Sequence, residues 1–177
     1  MRKLVAIILS CFVVFWIGRI YSINQNPPVT QYYNIEDTVD CGDLQLYFAE
    51  SHFDNSEDIN GRFDVDIEYE DDCKVISIRI DVTNMSESDI SWDDVFNFIE
   101  VGFESSVWQS APSSLINQRV NKFYSDSLKP GTTQSVWLCA EIKKPWFKES
   151  SWENIDQYDY YYVLALDPHK VAVRLEV

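Results

Sequence analysis

The stretch "CKVISIRIDVTN" (Cys73–Asn84) limits the possible folds of this chain more than any other. Ile76, Ile78, Ile80 and Val82 share one side of an extended backbone, and Ser77, Arg79 and Asp81 take the other. A period of two in β-branched residues marks a strand with one buried face, which needs a second apolar layer to cover it. The pattern recurs along the chain. "DLQLYFA" (Asp43 to Ala49) groups Leu44, Leu46 and Phe48, and "FDVDIEYE" (Phe63 to Glu70) sets Phe63, Val65, Ile67 and Tyr69 against carboxylates. "VFNFIEVGFE" (Val95 to Glu104) is rich in β-formers, and "TQSVWLCAEI" (Thr133 to Ile142) groups Val136, Leu138, Ala140 and Ile142. "YYYVLAL" and "KVAVRLEV" flank a turn at "DPH" (Asp167 to His169).

About seven strands with this spacing predict an all-β fold, an Ig-like antiparallel β-sandwich. Two inserts interrupt the rhythm. "SSLINQRVNKFY" (Ser113 to Tyr124) has near-helical apolar spacing, and "SSWENIDQY" (Ser150 to Tyr158) opens with Ser150 and Glu153 placed as a capping box. Both are expected as short helical inserts.

The N-terminus has a different character. "MRKLVAIILSCFVVFWIGR" puts Arg2 and Lys3 before an apolar run from Leu4 to Ile17, and Arg19 closes it. This is the pattern of a transmembrane or signal helix, with the rest of the chain outside by the positive-inside rule. Three readings stand for residues 1–21: a signal anchor, a cleaved signal peptide, or a lipoprotein lipidated at Cys11 after "ILSC". The first implies a single-pass protein of the cell membrane. The others imply a secreted or lipid-held form. Residues 22–39, with Pro27 and Pro28, read as an extended linker, and the sandwich is expected over 40–177.

The 29 acidic residues against 14 basic ones give a net charge of −15. That disfavours nucleic acid, whose phosphates need a basic surface. Outside the membrane, one pair among Cys41, Cys73 and Cys139 can form a disulfide, and their spacing does not choose the pair. It is too wide for a zinc or redox motif.

The best-patterned strand also carries a family resemblance. "CKVISIRIDVTNMSESDISW" resembles the central strand of bacterial extracellular Ig-like domains of the DUF4352 type, where an Asn ends the strand as Asn84 does here. "LKPGTTQSVWLCAEI" (Leu128 to Ile142) resembles the family's Pro-Gly turn and following strand. The terminal strand pair is the third landmark. The resemblance implies a binding or accessory module and supplies no catalytic residues.

The search for chemistry yields little that is specific. His52 and His169 are expected in exposed loops, without a nucleophile elbow or triad signature. In "DNSEDINGRFD", Asp54, Ser56, Asp58 and Asn60 offer oxygen ligands before Gly61, as in a calcium loop, but Ile67 stands where the bidentate Glu belongs. A plain solvated loop competes with that reading. No cofactor is implied. Trp92, Trp108, Trp137, Trp146 and Trp152 are the candidate binding surface, since exposed aromatics anchor proteins and glycans. The expected function is recognition of an envelope protein or secreted ligand without catalysis, the partner being a protein or glycan at the cell surface. The alternatives are an inhibitor or immunity-type protein facing a basic toxin or hydrolase, and an enzyme whose site is assembled from distant loops.

Overall fold

The structure, a computed structural model, describes residues 12–19, 29–68, 72–122, 126–166 and 169–176. One sheet has the order β2-β3-β4-β9, formed by Thr38–Asp40, Leu44–Asn55, Cys73–Asn84 and Thr133–Lys143. The facing sheet, β1-β11-β10-β6-β7, is formed by Gln31–Tyr33, Val171–Arg174, Tyr161–Ala165, Gly102–Glu104 and Gln109–Ser110. A short ladder joins β5 (Ile90–Ser91) to β8 (Ser127–Leu128). The protein is therefore a β-sandwich, as the alternation predicts. The described residues hold eleven strands rather than about seven, because several run for only two or three residues. β1 pairs parallel with β11; the other described pairings are antiparallel.

β4 is the spine, registered along its length against both β3 and β9. Its Ile76, Ile78, Ile80 and Val82 are fully buried, as are Leu46, Phe48, Val136 and Leu138 on the same inner face. Phe103, Tyr162 and Val173 close the core from the other sheet. Tyr162 sits at its centre, with ring centroids 6.1 Å from Phe48 and 5.7 Å from Phe103. Each large apolar side chain removed from water contributes roughly 1.5–3 kcal/mol.

Several expectations need correction. "VFNFIEVGFE" is not one strand. Trp92–Ile99 is a helix, α3, and only Gly102–Glu104 is extended. "FDVDIEYE" is not a strand over its described part. Phe63 ends a second helix, α2 (Ser56–Phe63), and Asp64 takes a left-handed φ of 51°. Val65 and Ile67 then follow without a ladder partner. The alternation did mark a real apolar face: Phe63, Val65, Ile67 and Ile59 cover Val75, Cys73 and Cys139 on the outside of the sheet. Residues 69–70 lie outside the described ones. The linker is also shorter than expected, because β1 and β2 fall within 22–39 or straddle its end. The two inserts do contain helices, α4 (Ser114–Val120) and α5 (Glu149–Trp152). The expected capping box is absent, since Lys148 is the N-cap of α5 and Ser150 lies inside the helix.

A bulge at Ala49 shifts the phase of β3. Leu44, Leu46 and Phe48 point inward, and beyond the bulge Glu50, His52 and Asp54 stand opposite Arg79, Ser77 and Val75 on the outer face. His52 is therefore a strand residue and not a loop residue. Residues 12–19 are helical, labelled α1 in this numbering. Among the described residues no helix is long and apolar enough to cross a membrane. Most of the expected anchor, with Cys11, lies outside the described residues.

Candidate functional site

A concave site that joins aromatic and charged side chains, one of several among the described residues, lies between α3 and α4. Helix α3 starts at Ser91, whose Oγ accepts the Asp94 N–H at 3.1 Å. Asp93 and Asp94 complement the positive end of the helix. Trp92, Val95 and Ile99 form its buried stripe. The far end is pinned from the core, where the Tyr162 hydroxyl donates to the Ile99 carbonyl at 2.5 Å.

Asparagine side chains hold α4 against the free edge of β9. Asn121 accepts from the Trp137 N–H and donates to the Trp137 carbonyl, both at 2.8 Å. Asn117 accepts from the Cys139 N–H at 2.9 Å, and the Ser113 N–H donates to the Cys139 carbonyl at 2.6 Å. These amides stand in for a neighbouring strand and occupy an edge that would otherwise invite pairing. The same device fixes the cover of the outer face, where Asn60 exchanges two bonds with the Ile67 backbone at 2.9 and 3.1 Å.

The groove so formed encloses about 370 Å³. From α3 and its end come Trp92, Asp93, Phe96 and Glu100; from α4 and its end come Ser114, Asn117, Gln118 and Asn121. Glu100 Oε1 accepts from Asn117 Nδ2 at 3.0 Å. The lining contains two carboxylates and no basic side chain.

The five tryptophans do not form one surface. Trp92 lines the groove but is itself 7% exposed, and Trp108 is buried against Tyr160. Trp137 lies on the outer sheet face, as its parity indicates, between His52 (5.8 Å, stacked) and Phe63 (4.9 Å, edge-on). Trp152 packs on Phe147, while Trp146 is 56% exposed beside Lys143. Phe96, Glu100 and the two α4 asparagines escape the sequence reading. The Asn117–Asn121 spacing of four was the available signal.

The remaining candidates lose their sequence-level geometry. The calcium segment is the end of β3 followed by α2, with Gly61 inside the helix rather than at a turn. Asp54 pairs with Arg62 at 3.0 Å, Asp58 accepts from Asn55, and Asn60 is committed to Ile67. Ser56 lies in the first turn of α2. His52 Nε2 meets Glu50 at 3.2 Å rather than Ser77, whose buried Oγ has no hydrogen-bond partner among the described residues. No Ser-His relay is assembled there. Burial alone would raise the Glu50 carboxyl, but bonds from Arg79 and His52 hold it below the usual carboxylate range. His169 is exposed just before β11. Cys41, Cys73 and Cys139 are all thiols. Cys73 and Cys139 share the outer-face cluster, yet Cys73 registers with Lys143, four residues along β9 from Cys139. That is a separation of about 13 Å along the strand, too far for a disulfide. Burial pushes the Cys139 thiol up to about 12, with Asp54 adding to the effect.

No protein-family model matches the chain, and no curated protein matches its sequence. Its fold is similar to solved structures. An uncharacterized β-sandwich protein from Clostridium difficile 630 matches with a TM-score of 0.55 and 10% identity, over 85% of this chain and 99% of that one. A conserved hypothetical protein from Bacillus anthracis matches with a TM-score of 0.54 and 13% identity, over 81% of this chain and 95% of that one. At these identities the likeness is one of fold, a bacterial β-sandwich.

Proposed function

We propose that this chain is a membrane-tethered extracellular binding module of the DUF4352 type. It recognises an envelope protein or a secreted ligand through the α3–α4 groove, and it does so without catalysis. The observation that carries this reading is the construction of the groove. One wall is capped by Ser91 and pinned by Tyr162, the other is locked to β9 by Asn117 and Asn121. A site preorganised on rigid elements loses little freedom on binding. The basic-then-apolar N-terminus supports the tether, and the Asn84 and Pro130-Gly131 landmarks support the Ig-like kinship.

The test is capture from the native envelope with the full chain as bait, beside the Gln118→Arg variant. Gln118 is exposed and lines the groove, so arginine fills the site without disturbing the core. The wild type is expected to retain a partner that Gln118→Arg loses. Equal capture by both, or a hydrolytic activity abolished by changing one polar residue, overturns the reading.

A further inference from the structure

We propose that the groove receives an organic cation, the ammonium or guanidinium group of a lysine or arginine on a protein partner. This deepens the binding reading and rests on it. The argument is an inventory of donors and acceptors. By number, the amides of Asn117 and Asn121 would offer a polar ligand both kinds of partner. They are largely committed within the protein: Asn121 to the Trp137 backbone and the Asn117 carbonyl, and Asn117, itself buried, to Glu100 and the Cys139 N–H. Asp93 and Glu100 therefore dominate the open chemistry, and ionised carboxylates only accept. Ser114 and Gln118 are the remaining polar side chains. A neutral sugar could use the Ser114 hydroxyl and the Gln118 amide as donors, but it would leave both carboxylate charges unanswered. A cation answers either of the carboxylates, which stand seven residues apart and about 10 Å along α3, and Phe96 between them, with the exposed edge of Trp92, suits the apolar stem that carries it. The net charge of −15 draws such a partner in.

The same charge would attract any cation diffusely, so the experiment must separate groove from surface. The probe is tetralysine amide, with its fully Nε-acetylated counterpart as the neutral control. The full chain, in zwitterionic detergent, is followed through the Trp92 indole N–H and the Gln118 amide signals by NMR. Three proteins are compared: wild type, Asp93→Asn/Glu100→Gln, and Glu153→Gln/Asp156→Asn. The last removes the same charge from exposed positions around α5. Tetralysine is expected to shift both groove signals. Acetylation and the groove variant should each weaken binding about tenfold or more, the scale of lost charge-assisted hydrogen bonds. The α5 variant should change it less than about twofold, as screened surface charges do. Equal losses in the two variants, equal binding of the acetylated peptide, or shifts that bypass Trp92 and Gln118 each overturn the assignment. An envelope partner lost with Gln118→Arg but retained by Asp93→Asn/Glu100→Gln would overturn the cation while leaving the binding function standing.

Discussion

Replacing Tyr162 by alanine is expected to destabilise the protein by about 4–6 kcal/mol, measured by urea denaturation. Truncating a buried aromatic ring costs roughly 3–5 kcal/mol through lost transfer energy and the cavity left behind. Tyr162 is completely buried between Phe48 and Phe103, so the core has no solvent to admit there. The substitution also removes one of the two bonds to the Ile99 carbonyl, which keeps the Val101 N–H at 3.0 Å, adding roughly 0.5–1.5 kcal/mol for a lost hydrogen bond. Tyr162→Phe separates the two effects, keeping the ring and losing only the bond, for about 1–2 kcal/mol. Burial holds the Tyr162 phenol well above its usual pKa, so it stays a donor at any working pH. An alanine variant within about 1 kcal/mol of wild type would mean that the ring does not pack as described.

Asn84→Ala should cost about 3–4 kcal/mol by the same measurement, a large value for removing one small polar side chain. Asn84 ends β4 fully buried. Its Nδ2 donates to the Ser88 and Leu128 carbonyls at 2.8 and 2.9 Å, and its Oδ1 accepts from the Ser86 N–H and hydroxyl. Its backbone meets the Pro130-Gly131 turn, with the Gly131 N–H on the Asn84 carbonyl at 2.8 Å and the Asn84 N–H on Thr132 at 3.1 Å. Gly131 turns there with a φ of 67°, which glycine adopts without strain. One side chain thus ties three segments together. Asn84→Asp should be worse still, because it swaps two buried donors for a buried charge. An alanine variant of near wild-type stability would refute this role.

Asn84 also shows how far the sequence could be read. Its position after an alternating run announced the strand end, and that run became the spine of the sandwich. β9 and the β10–β11 pair were equally legible, β9 by its alternation after Pro130-Gly131 and the terminal pair by two apolar runs. Elsewhere local pattern and tertiary context part ways. "VFNFIEVGFE" carries β-propensity, but Ser91 caps a helix whose buried stripe is Trp92, Val95 and Ile99. The helix wins because its cap and its face agree. The bulge at Ala49 reversed the phase of β3, so His52 could not be placed by counting from Leu44. In "FDVDIEYE" the alternation marks an apolar face at Phe63, Val65 and Ile67, which covers the outside of the sheet without joining a ladder, and Asn60 bonds the Ile67 backbone in place of a neighbouring strand.

The groove was the least legible part. Only Trp92, among the tryptophans singled out, belongs to it. Its walls come from segments 92–100 and 114–121, whose separation in space is set by Tyr162 reaching Ile99 and by asparagines reaching β9. Neither contact has a local signature. The acidic composition left a basic partner open as one reading beside a plain solvated exterior, and our proposal sets Asp93 and Glu100 to meet it.

The most direct measurement of the central claim is hydrogen–deuterium exchange on the full chain with and without its captured partner. Added protection is expected over residues 92–100 and 114–121, with the edges at β1 and β7 and the exposed Trp146 unchanged. Protection confined to those edges or to Trp146, with both groove helices exchanging as in the free protein, would contradict it.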